Sequence, residues 1–359
     1  MINMKGLILV AGKGTRLRPI THTLPKHMIP LAGKPMMQYS LDHLIDAGIK
    51  DIGIVVGYLK KKIMEHFGDG SKFGANFEYI VQEPQMGIAH AIKVSKDYIG
   101  DDPFIVYLGD NILKEGIAQF KKEFESGDYD ALILLAYTKD PTRFGVADIR
   151  DGKIVRLVEK PKVPPSNYAL VGVYFFRKSI FEAIEHLKPS WRGELEITDA
   201  IQWLLNHNYK VGHQIIRGWW KDTGKPRDLL EALYLILDTL EENINGNISE
   251  KSEVLGRVYI GKDTEILENT IIRGPVYIGS KCVIGPNTFI GPYTSIEDNV
   301  KISGGEIFGS LIMNHAQIDI SDDIRIIDSI IGTNAKVIRS SSKKRGLRLV
   351  IGETSIIEI

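Results

Sequence analysis

The sequence contains little cysteine and no excess of charge of either sign. Cys282 is the only cysteine in 359 residues, which excludes an internal disulfide framework and a thiolate metal site and fits a reducing compartment. Lysine plus arginine and aspartate plus glutamate each number 45, so no net electric field would draw the protein to nucleic acid or to an anionic membrane. We therefore expect neither nucleic acid nor a membrane as a partner.

Long apolar runs are also missing from the N-terminal region. The apolar run at residues 6–11 is too short for the apolar part of a signal peptide or for a membrane span. A hydrophobic content of 43% with 25% charged residues is typical of a soluble globular protein, and 359 residues exceed the size of most single cores. The sequence therefore predicts a cytoplasmic protein of two domains.

Apolar stretches alternate with amphipathic stretches from Met4 to about Leu240. Strands are predicted at residues 6–11, 51–56, 77–82, 104–108, 131–137, 170–176 and 210–216. Helices are predicted at residues 36–47, 88–98, 197–206 and 227–242. Continuous apolar strands separated by helices are typical of a parallel sheet covered on both faces. We therefore predict an α/β fold with a Rossmann-like, mostly parallel sheet and helices on both faces.

The pattern changes after residue 243. Isoleucine recurs every six residues at positions 260, 266, 272, 278, 284, 290, 296 and 302, and a further set lies at 312, 318, 324 and 330. A hexapeptide repeat of this kind predicts a parallel β-helix whose coils stack isoleucine on isoleucine, left-handed by resemblance to other hexapeptide proteins. We predict domains at residues 1–243 and 244–359, with Cys282 as an interior packing residue of the β-helix.

A glycine-rich turn follows the first predicted strand. In Gly12-Lys13-Gly14-Thr15-Arg16 the glycines would let main-chain N–H groups approach an anion, and the cations would neutralise it. The motif lacks the third glycine of a dinucleotide fingerprint, and Gly14 stands where a P-loop needs serine or threonine. Both of those motifs are excluded, and the residues alone leave a simple turn and a phosphate site open.

Several carboxylates and amides follow predicted strands, where α/β sheets bind ligands. Asp110 and Asp222 could hold Mg²⁺ through oxygen, or could be a helix cap and a turn residue. Glu159 and Lys160 end a strand before a proline and could be a ligand-binding pair or a solvated one. The amide of Gln82 could read the edge of a pyrimidine base or lie on the surface.

The motif from Leu9 to Met36, which includes Leu24-Pro25-Lys26 and Gly33-Lys34-Pro35, resembles the signature of sugar-1-phosphate nucleotidylyltransferases. Within that family the chain looks like the long-form glucose-1-phosphate thymidylyltransferases, which carry a C-terminal hexapeptide β-helix. The motif at residues 191–199, Trp-Arg-Gly-Glu-Leu-Glu-Ile-Thr-Asp, also resembles the thymidylyltransferases. The resemblance implies that residues 1–243 form a nucleotidyltransferase catalytic domain.

The resemblance also implies a reaction and a set of site residues. The enzyme would convert dTTP and glucose 1-phosphate into dTDP-glucose and pyrophosphate, with Mg²⁺ as cofactor, for deoxysugar biosynthesis. Nucleotide would be bound by Leu9, Ala11, Gly12, Gly14, Thr15, Arg16, Gln82, Pro84 and Gly87. The sugar phosphate would be bound by Lys26, Gly145, Glu159, Lys160, Gly172 and Tyr174. Asp110 and Asp222 would hold the metal, while Arg16, Lys26 and Lys160 would be catalytic.

Several alternatives stay open on sequence grounds. Uracil differs from thymine by one methyl group, so a uridylyltransferase is an alternative. A bifunctional nucleotidylyl- and acetyltransferase is another, with His315 as the candidate histidine in the β-helix. A catalytically silent regulatory protein is a third, although Arg16, Lys26, Asp110 and Asp222 are all present. The β-helix predicts assembly into a homo-oligomer, a trimer or a tetramer.

Overall fold

The computed structural model describes residues 4–339, which form two compact units. The first unit comprises residues 4–14, Thr23–Met28 and Met36–Asp222. The second comprises Thr15–His22, Ile29–Pro35 and residues 223–339. The predicted domain boundary between residues 243 and 244 stays a prediction, and two short N-terminal segments group with the C-terminal unit.

Strands and short helices alternate up to residue 237. The strands are β1 (Lys5–Leu9), β2 (Pro30–Leu31), β3 (Lys34–Pro35), β4 (Asp51–Val56), β5 (Asn76–Val81), β6 (Phe104–Leu108), β7 (Asn111–Leu113), β8 (Ala131–Tyr137), β9 (Gly145–Arg150), β10 (Lys153–Glu159), β11 (Tyr168–Phe176), β12 (Val211–Ile215) and β13 (Trp220–Asp222). The α-helices are α1 (Met36–Asp46), α2 (Lys60–Phe67), α3 (Ile88–Val94), α4 (Lys96–Ile99), α5 (Ala118–Ser126), α6 (Ser179–Glu185), α7 (Ile197–Asn206) and α8 (Pro226–Leu237). Single 3₁₀ turns lie at Thr15–Leu17, Ile20–His22, Lys26–Met28, Ser71–Phe73 and Pro141–Arg143.

The main sheet of the first unit has nine strands in the order β10-β9-β11-β6-β1-β4-β5, with β8 on β11 and β12 on β8. Strands β6, β1, β4 and β5 are mutually parallel, and β11 is antiparallel to its neighbours. Leu7 and Ile8 are both fully buried but belong to different core clusters, because alternate strand residues face opposite sides of the sheet. Both faces are therefore covered, and the predicted mostly parallel α/β fold is confirmed.

Two predicted helices differ from the structure. The helix predicted at residues 88–98 is two helices, α3 and α4, because the backbone at Ser95 leaves helical geometry, with φ of −94° and ψ of 4°, and its hydroxyl donates to the Ala91 carbonyl at 2.8 Å. The last helix, predicted to reach residue 242, ends at Leu237, since the first strand of the β-helix begins at Asn243. The predicted strands agree with the structure to within two residues at either end.

The rest of the second unit is a left-handed parallel β-helix. Its strands are β14 (Asn243–Ile244), β15 (Asn247–Ile248), β16 (Glu253–Leu255), β17 (Val258–Ile260), β18 (Glu265–Ile266), β19 (Ile271–Arg273), β20 (Val276–Ile278), β21 (Val283–Ile284), β22 (Phe289–Ile290), β23 (Thr294–Ile296), β24 (Lys301–Ser303), β25 (Glu306–Phe308), β26 (Leu311–Ile312), β27 (Gln317–Asp319), β28 (Arg325–Ile327), β29 (Ile330–Ile331) and β30 (Lys336–Ile338). They form three parallel sheets of six, six and five strands. Isoleucines and the buried Cys282 fill the interior, as the repeat predicts.

The last part of the repeat was assigned wrongly from the sequence. Ile326 and Ile331 pack against the interior of the β-helix, whereas the predicted Ile324 is exposed. Ile326 stacks on Ile307, and Ile331 stacks on Ile312. The turn between Ile318 and β28 is longer than one repeat, so the six-residue phase does not continue through it.

Candidate active site at the carboxyl ends of the strands

Lys26 and Asp110 form a close ion pair in the first unit. Asp110 follows β6, and Lys26 is the first residue of a 3₁₀ turn. Lys26 Nζ donates a hydrogen bond to Asp110 Oδ2 at 2.6 Å. The Lys26 side chain is only 6% exposed and that of Asp110 is 25% exposed. Burial alone would raise the pKa of Asp110, but the Lys26 ammonium and hydrogen bonds from Lys26 and Asn111 hold it below its usual range. The carboxylate is therefore ionised at neutral pH.

Asn111 links Asp110 to the second predicted metal ligand. Its Nδ2 donates to Asp110 Oδ1 at 2.9 Å, and its Oδ1 accepts from Trp220 Nε1 at 2.7 Å. Asn111 lies opposite Asp222 in the antiparallel pair of β7 and β13. Arg143 approaches Asp222 Oδ2 to 3.9 Å. Asp110 thus directly precedes β7, and Asp222 ends β13, the strand paired with β7; a cationic side chain lies beside each aspartate.

His27 is the neighbour of Lys26 and is fully enclosed. Burial lowers the pKa of His27 to about 4, so the imidazole is neutral at physiological pH. Its Nδ1 makes no hydrogen bond to any of the described residues. A neutral ring here adds no charge to the Lys26–Asp110 pair.

Glu159 is held by side chains from the motif at residues 191–199. Thr198 Oγ1, at the start of α7, donates to Glu159 Oε2 at 2.6 Å, and Arg192 Nη1 lies 3.5 Å from Glu159 Oε1. Arg192 also pairs with Glu194 at 2.6 Å and with Glu196 at 3.3 Å. One arginine therefore contacts three carboxylates, and the Glu159 carboxylate is held by Arg192 and Thr198.

Lys160 lies beside Glu159 but does not share its burial. Its Nζ is 3.5 Å from Glu159 Oε1, and its main-chain N–H donates to the Phe144 carbonyl at 3.0 Å. The backbone at Lys160 has φ of 41°, in the left-handed region, which turns the chain at the end of β10. Because of this turn the two side chains lie together, whereas neighbours on a straight strand point to opposite faces.

Gly145 and Gly172, which the resemblance places in the sugar-phosphate site, are both positions where a side chain would not fit. A Cβ at Gly145 would lie 2.7 Å from Thr198 Cγ2, and Gly145 pairs with Glu159 across β9 and β10. Gly172 has φ of 80°, and a Cβ there would lie 2.9 Å from the Leu108 side chain. Close packing explains both glycines. Tyr174 follows on the same strand, where burial and nearby carboxylates raise its pKa.

The Gln82 loop lies after β5. Gln82 is buried, and its Nε2 donates to the Gly87 carbonyl at 3.0 Å and lies 3.2 Å from His90 Nδ1. Gly87, with φ of 94°, begins α3, and Pro84 lies in the exposed part of the loop. The amide nitrogen is thus used inside the loop, and the amide oxygen is the atom with which Gln82 could read a base.

The glycine-rich turn follows β1. Leu9 and Ala11 are buried at the end of β1, whereas a Cβ at Gly12 would meet no atom within 4 Å. Gly14 has φ of 61°, which favours glycine. Thr15 and Arg16 follow in a 3₁₀ turn and are grouped with the second unit. The turn has the open glycine that the predicted phosphate contact needs.

Three residues of the site were missed from the sequence. Asn111, Thr198 and Arg192 hold the predicted aspartate and glutamate, but none was singled out as a site residue. The only available signal was their position, Asn111 directly after Asp110 and the other two inside the 191–199 motif.

Within residues 4–339, no group of three or more His, Cys, Asp and Glu side chains is arranged to hold a metal ion. Nor does any helix in that part of the chain have the length and apolar character to cross a bilayer.

The fold and the site define a nucleotidyl transferase that carries a hexapeptide β-helix. The nucleotidyl transferase profile matches residues 5–239, and the bacterial transferase hexapeptide profile, six repeats, matches residues 257–292. The chain belongs to the nucleotidyl transferase family and is an enzyme of that class. The resemblance drawn from the sequence is confirmed at this level.

Relatives match over almost the whole chain. A low-salt glycan biosynthesis nucleotidyltransferase of Haloferax volcanii is 45% identical over 99% of this chain and 100% of its own length. A glucose-1-phosphate thymidylyltransferase of Streptomyces antibioticus is 43% identical over 99% of both chains. The bifunctional protein GlmU of Methanocaldococcus jannaschii is 38% identical over 92% of this chain and 78% of its own.

A solved structure is similar to about two thirds of the chain. A Bacillus anthracis protein described as a glucose-1-phosphate thymidylyltransferase, in complex with sucrose, aligns with a TM-score of 0.62 and 40% identity. The alignment covers 65% of this chain and 94% of that protein.

Proposed function

We propose that the enzyme transfers a thymidylyl group from dTTP to glucose 1-phosphate, giving dTDP-glucose and pyrophosphate. The observation that carries the proposal is the Lys26–Asp110 ion pair, which Asn111 connects to Asp222 at the end of the sheet. The full-length thymidylyltransferase relative at 43% identity supports the choice of substrates.

The chemistry needs charge neutralisation more than proton transfer. An oxygen of the sugar phosphate attacks the α-phosphorus of the nucleotide, that bond forms, and the bond to the β-phosphate oxygen breaks to release pyrophosphate. A phosphate monoester is already anionic at neutral pH, so no general base is required. The enzyme must bring two anions together in line, which makes positioning and cationic contacts the source of catalysis.

The residues fit these tasks. We assign Lys26 and Lys160 to the reacting phosphates and Arg16, with the main-chain N–H groups of Gly12 and Gly14, to the triphosphate. Glu159 would accept hydrogen bonds from sugar hydroxyls, since Thr198 and Arg192 already fix its orientation. Gly145, Gly172 and Tyr174 would shape the sugar pocket.

The two aspartates suit a magnesium ion. Mg²⁺ is typically bound by one or two carboxylates, with phosphate and water oxygens completing its shell. Asp110 is ionised and stands beside the strand position of Asp222. When bound, the ion would neutralise charge on the nucleotide phosphates. Asp110 and Asp222 would hold the ion, and the Lys26 ammonium beside Asp110 would contact substrate phosphate.

Nucleotide choice rests on the loop at residues 82–87. The Oε1 of Gln82 would accept the N3–H of thymine, because its Nε2 is used by Gly87 and His90. Uracil offers the same N3–H, and the thymine methyl contributes about 1–3 kcal/mol of discrimination in an apolar pocket. UTP is therefore the main alternative nucleotide.

Steady-state kinetics with a panel of substrates test the proposal. Each of dTTP, UTP and ATP is assayed separately with glucose 1-phosphate, galactose 1-phosphate and N-acetylglucosamine 1-phosphate, and pyrophosphate release is followed. We expect the highest kcat/KM for dTTP with glucose 1-phosphate. A higher kcat/KM for UTP would make the enzyme a uridylyltransferase.

The similarity to a bifunctional protein favours one second candidate, an added acetyltransferase activity of the β-helix. The candidate His315 lies in an exposed turn with φ of 62°. Consumption of acetyl-CoA with an amino-sugar phosphate, abolished by His315→Ala, would establish that activity.

We also propose that the β-helix assembles the chain into a trimer or a tetramer. Its flat parallel sheets are suited to packing against copies of themselves. Light scattering of the full chain gives the subunit count, and a monomer would contradict the proposal.

A further inference from the structure

Glu297 is a buried carboxylate of the β-helix that the proposed reaction does not use. It follows β23, is 3% exposed, and its Oε1 accepts from Ser295 Oγ at 2.8 Å. Its Oε2 accepts the main-chain N–H of Gly33 at 3.1 Å. Gly33 and Glu297 both belong to the second unit, although the sequence separates them by 264 residues.

The contact breaks the pattern of the repeat. Ile260, Ile278 and Ile296 stack on one another in successive coils, and the first two are followed by Gly261 and Gly279. The third is followed by Glu297. A buried carboxylate is costly unless it is hydrogen-bonded, so packing within the repeat does not explain the glutamate at position 297. The hydrogen bond from the Gly33 N–H does explain it.

The tip of the β2–β3 hairpin is shaped for this position. Ala32 and Gly33 both have positive φ, at 48° and 83°, as the turn of a tight hairpin requires. A Cβ at Gly33 would collide with the hydroxyl of Tyr277. The Tyr277 ring stacks on the Tyr259 ring of the neighbouring coil, with 4.9 Å between the ring centroids. The hairpin tip therefore fits between a tyrosine and a carboxylate of the β-helix.

The same hairpin continues directly from the Lys26 turn. Lys26–Met28 is followed by Ile29, the first residue of the segment that groups with the β-helix. The segment before Lys26, Thr15–His22, which carries Arg16, also groups with that unit. Both flanks of the short Thr23–Met28 segment thus belong to the unit that contains Glu297.

We propose that Glu297 is a positioning residue for nucleotide binding: it anchors the β2–β3 hairpin and so fixes the backbone that presents Lys26 to the triphosphate. The proposal rests on the proposed nucleotidyl transfer. It gives the β-helix a role in the catalytic site in addition to assembly.

The test compares Glu297→Ala with Glu297→Gln, and Glu265→Ala, an exposed carboxylate on another sheet of the β-helix, is the matched control. In Glu297→Ala we expect hydrogen exchange of the Gly33 amide to accelerate and the KM for nucleoside triphosphate to rise, each by about tenfold. Glu297→Gln keeps an acceptor and should stay within about threefold of wild type. Glu265→Ala should change neither measurement.

A fourth variant tests the hairpin from the other side. Gly33→Ala keeps Glu297 but collides with Tyr277, so it should raise the same KM by a similar factor. KM is measured with whichever nucleoside triphosphate the wild-type enzyme uses, so a wrong nucleotide assignment leaves the result interpretable. If wild type turns over no nucleotide, the proposed function fails, and calorimetric affinity for Mg-dTTP replaces KM.

Two outcomes would overturn the proposal. Unchanged Gly33 exchange in Glu297→Ala would show that the carboxylate does not anchor the hairpin. Faster exchange with an unchanged KM would show that the anchor does not position the nucleotide site, even if kcat falls, because a lower kcat alone reflects a loss of folded enzyme.

Discussion

Asn111 lies directly opposite Asp222 in the antiparallel pair of β7 and β13, and its side chain donates to Asp110. A single asparagine therefore fixes the relation between two aspartates that are distant in the sequence. Trp220 donates to the same asparagine and supports it from β13. This arrangement suits a metal ion held by two carboxylates and completed by substrate phosphates.

Asp110→Asn and Asp222→Asn should each abolish turnover while leaving the fold intact. Asp222→Asn mainly removes a charged metal ligand, whereas Asp110→Asn also removes the carboxylate that pairs with Lys26, so the folded state of each variant is checked by circular dichroism. The measurement is kcat at saturating Mg²⁺. The control is Asp51→Asn, because Asp51 begins β4 and so lies at the end of the sheet opposite the proposed site. Retention of more than about a tenth of wild-type kcat, under about 1.4 kcal/mol of barrier, would rule out the metal role of that residue.

Arg16→Ala should lower kcat far more than it raises the KM for sugar phosphate. Negative charge accumulates on the departing pyrophosphate, so a cation there stabilises the transition state more than the bound substrates. Steady-state kinetics with varied glucose 1-phosphate separate the two parameters. An unchanged kcat with a raised KM would make Arg16 a binding residue only.

Thr198→Val should raise the KM for glucose 1-phosphate by about tenfold, because it removes a hydrogen bond of 2.6 Å to the Glu159 carboxylate at nearly constant volume. The KM for nucleotide should stay as in wild type. Thr142→Val, in an exposed turn where the hydroxyl contacts Asp140, is the control. Equal KM values for sugar phosphate in the two variants would show that Thr198 does not orient Glu159.

Glu297 should make the stability of the fold depend on pH. Burial raises the pKa of Glu297 to about 7, with Asp298 adding to the shift, from an ordinary value of 4.5. Two other titratable groups, Tyr277 and Cys282, face the same region, and burial raises the pKa of both, so they are neutral at pH 5–8.

The sign follows from proton uptake. Between pH 4.5 and 7 folded Glu297 keeps a proton that the unfolded chain has released, so the free energy of unfolding falls as pH rises through this window. In Glu297→Gln this position does not titrate, so it contributes no such fall in the free energy of unfolding. Relative to wild type, the free energy of unfolding of Glu297→Gln in urea should therefore be about 3 kcal/mol larger at pH 8 than at pH 4.5. A constant difference between the two pH values would contradict a raised pKa.

Local patterns explain what could be predicted from the sequence. The six-residue repeat reports directly on the interior of the β-helix, because each isoleucine packs on the one a coil away. It failed between Ile318 and Ile326, where a longer turn shifts the phase and leaves Ile324 exposed. Strand ends likewise placed Asp110 at the ligand edge of the sheet.

Long-range partners could not be predicted in this way. The contact of Thr198 with Glu159 and that of Gly33 with Glu297 join residues that only the folded chain brings together. The one sequence signal for Glu297 was its place after Ile296, where the two preceding coils have glycine. The departure from the repeat thus indicates that Glu297 makes a particular contact, but the repeat does not predict that Gly33 is its partner.

The most direct test of the central claim is the fate of isotopic oxygen in the product. Glucose 1-phosphate labelled with ¹⁸O in its three non-bridging phosphate oxygens is incubated with unlabelled dTTP, and the product is examined by ³¹P NMR and mass spectrometry. In-line attack by the sugar phosphate predicts dTDP-glucose with one ¹⁸O in the bridge between its two phosphorus atoms, shifting both signals, and unlabelled pyrophosphate. An unlabelled bridge, or no dTDP-glucose at all, would contradict thymidylyl transfer to glucose 1-phosphate.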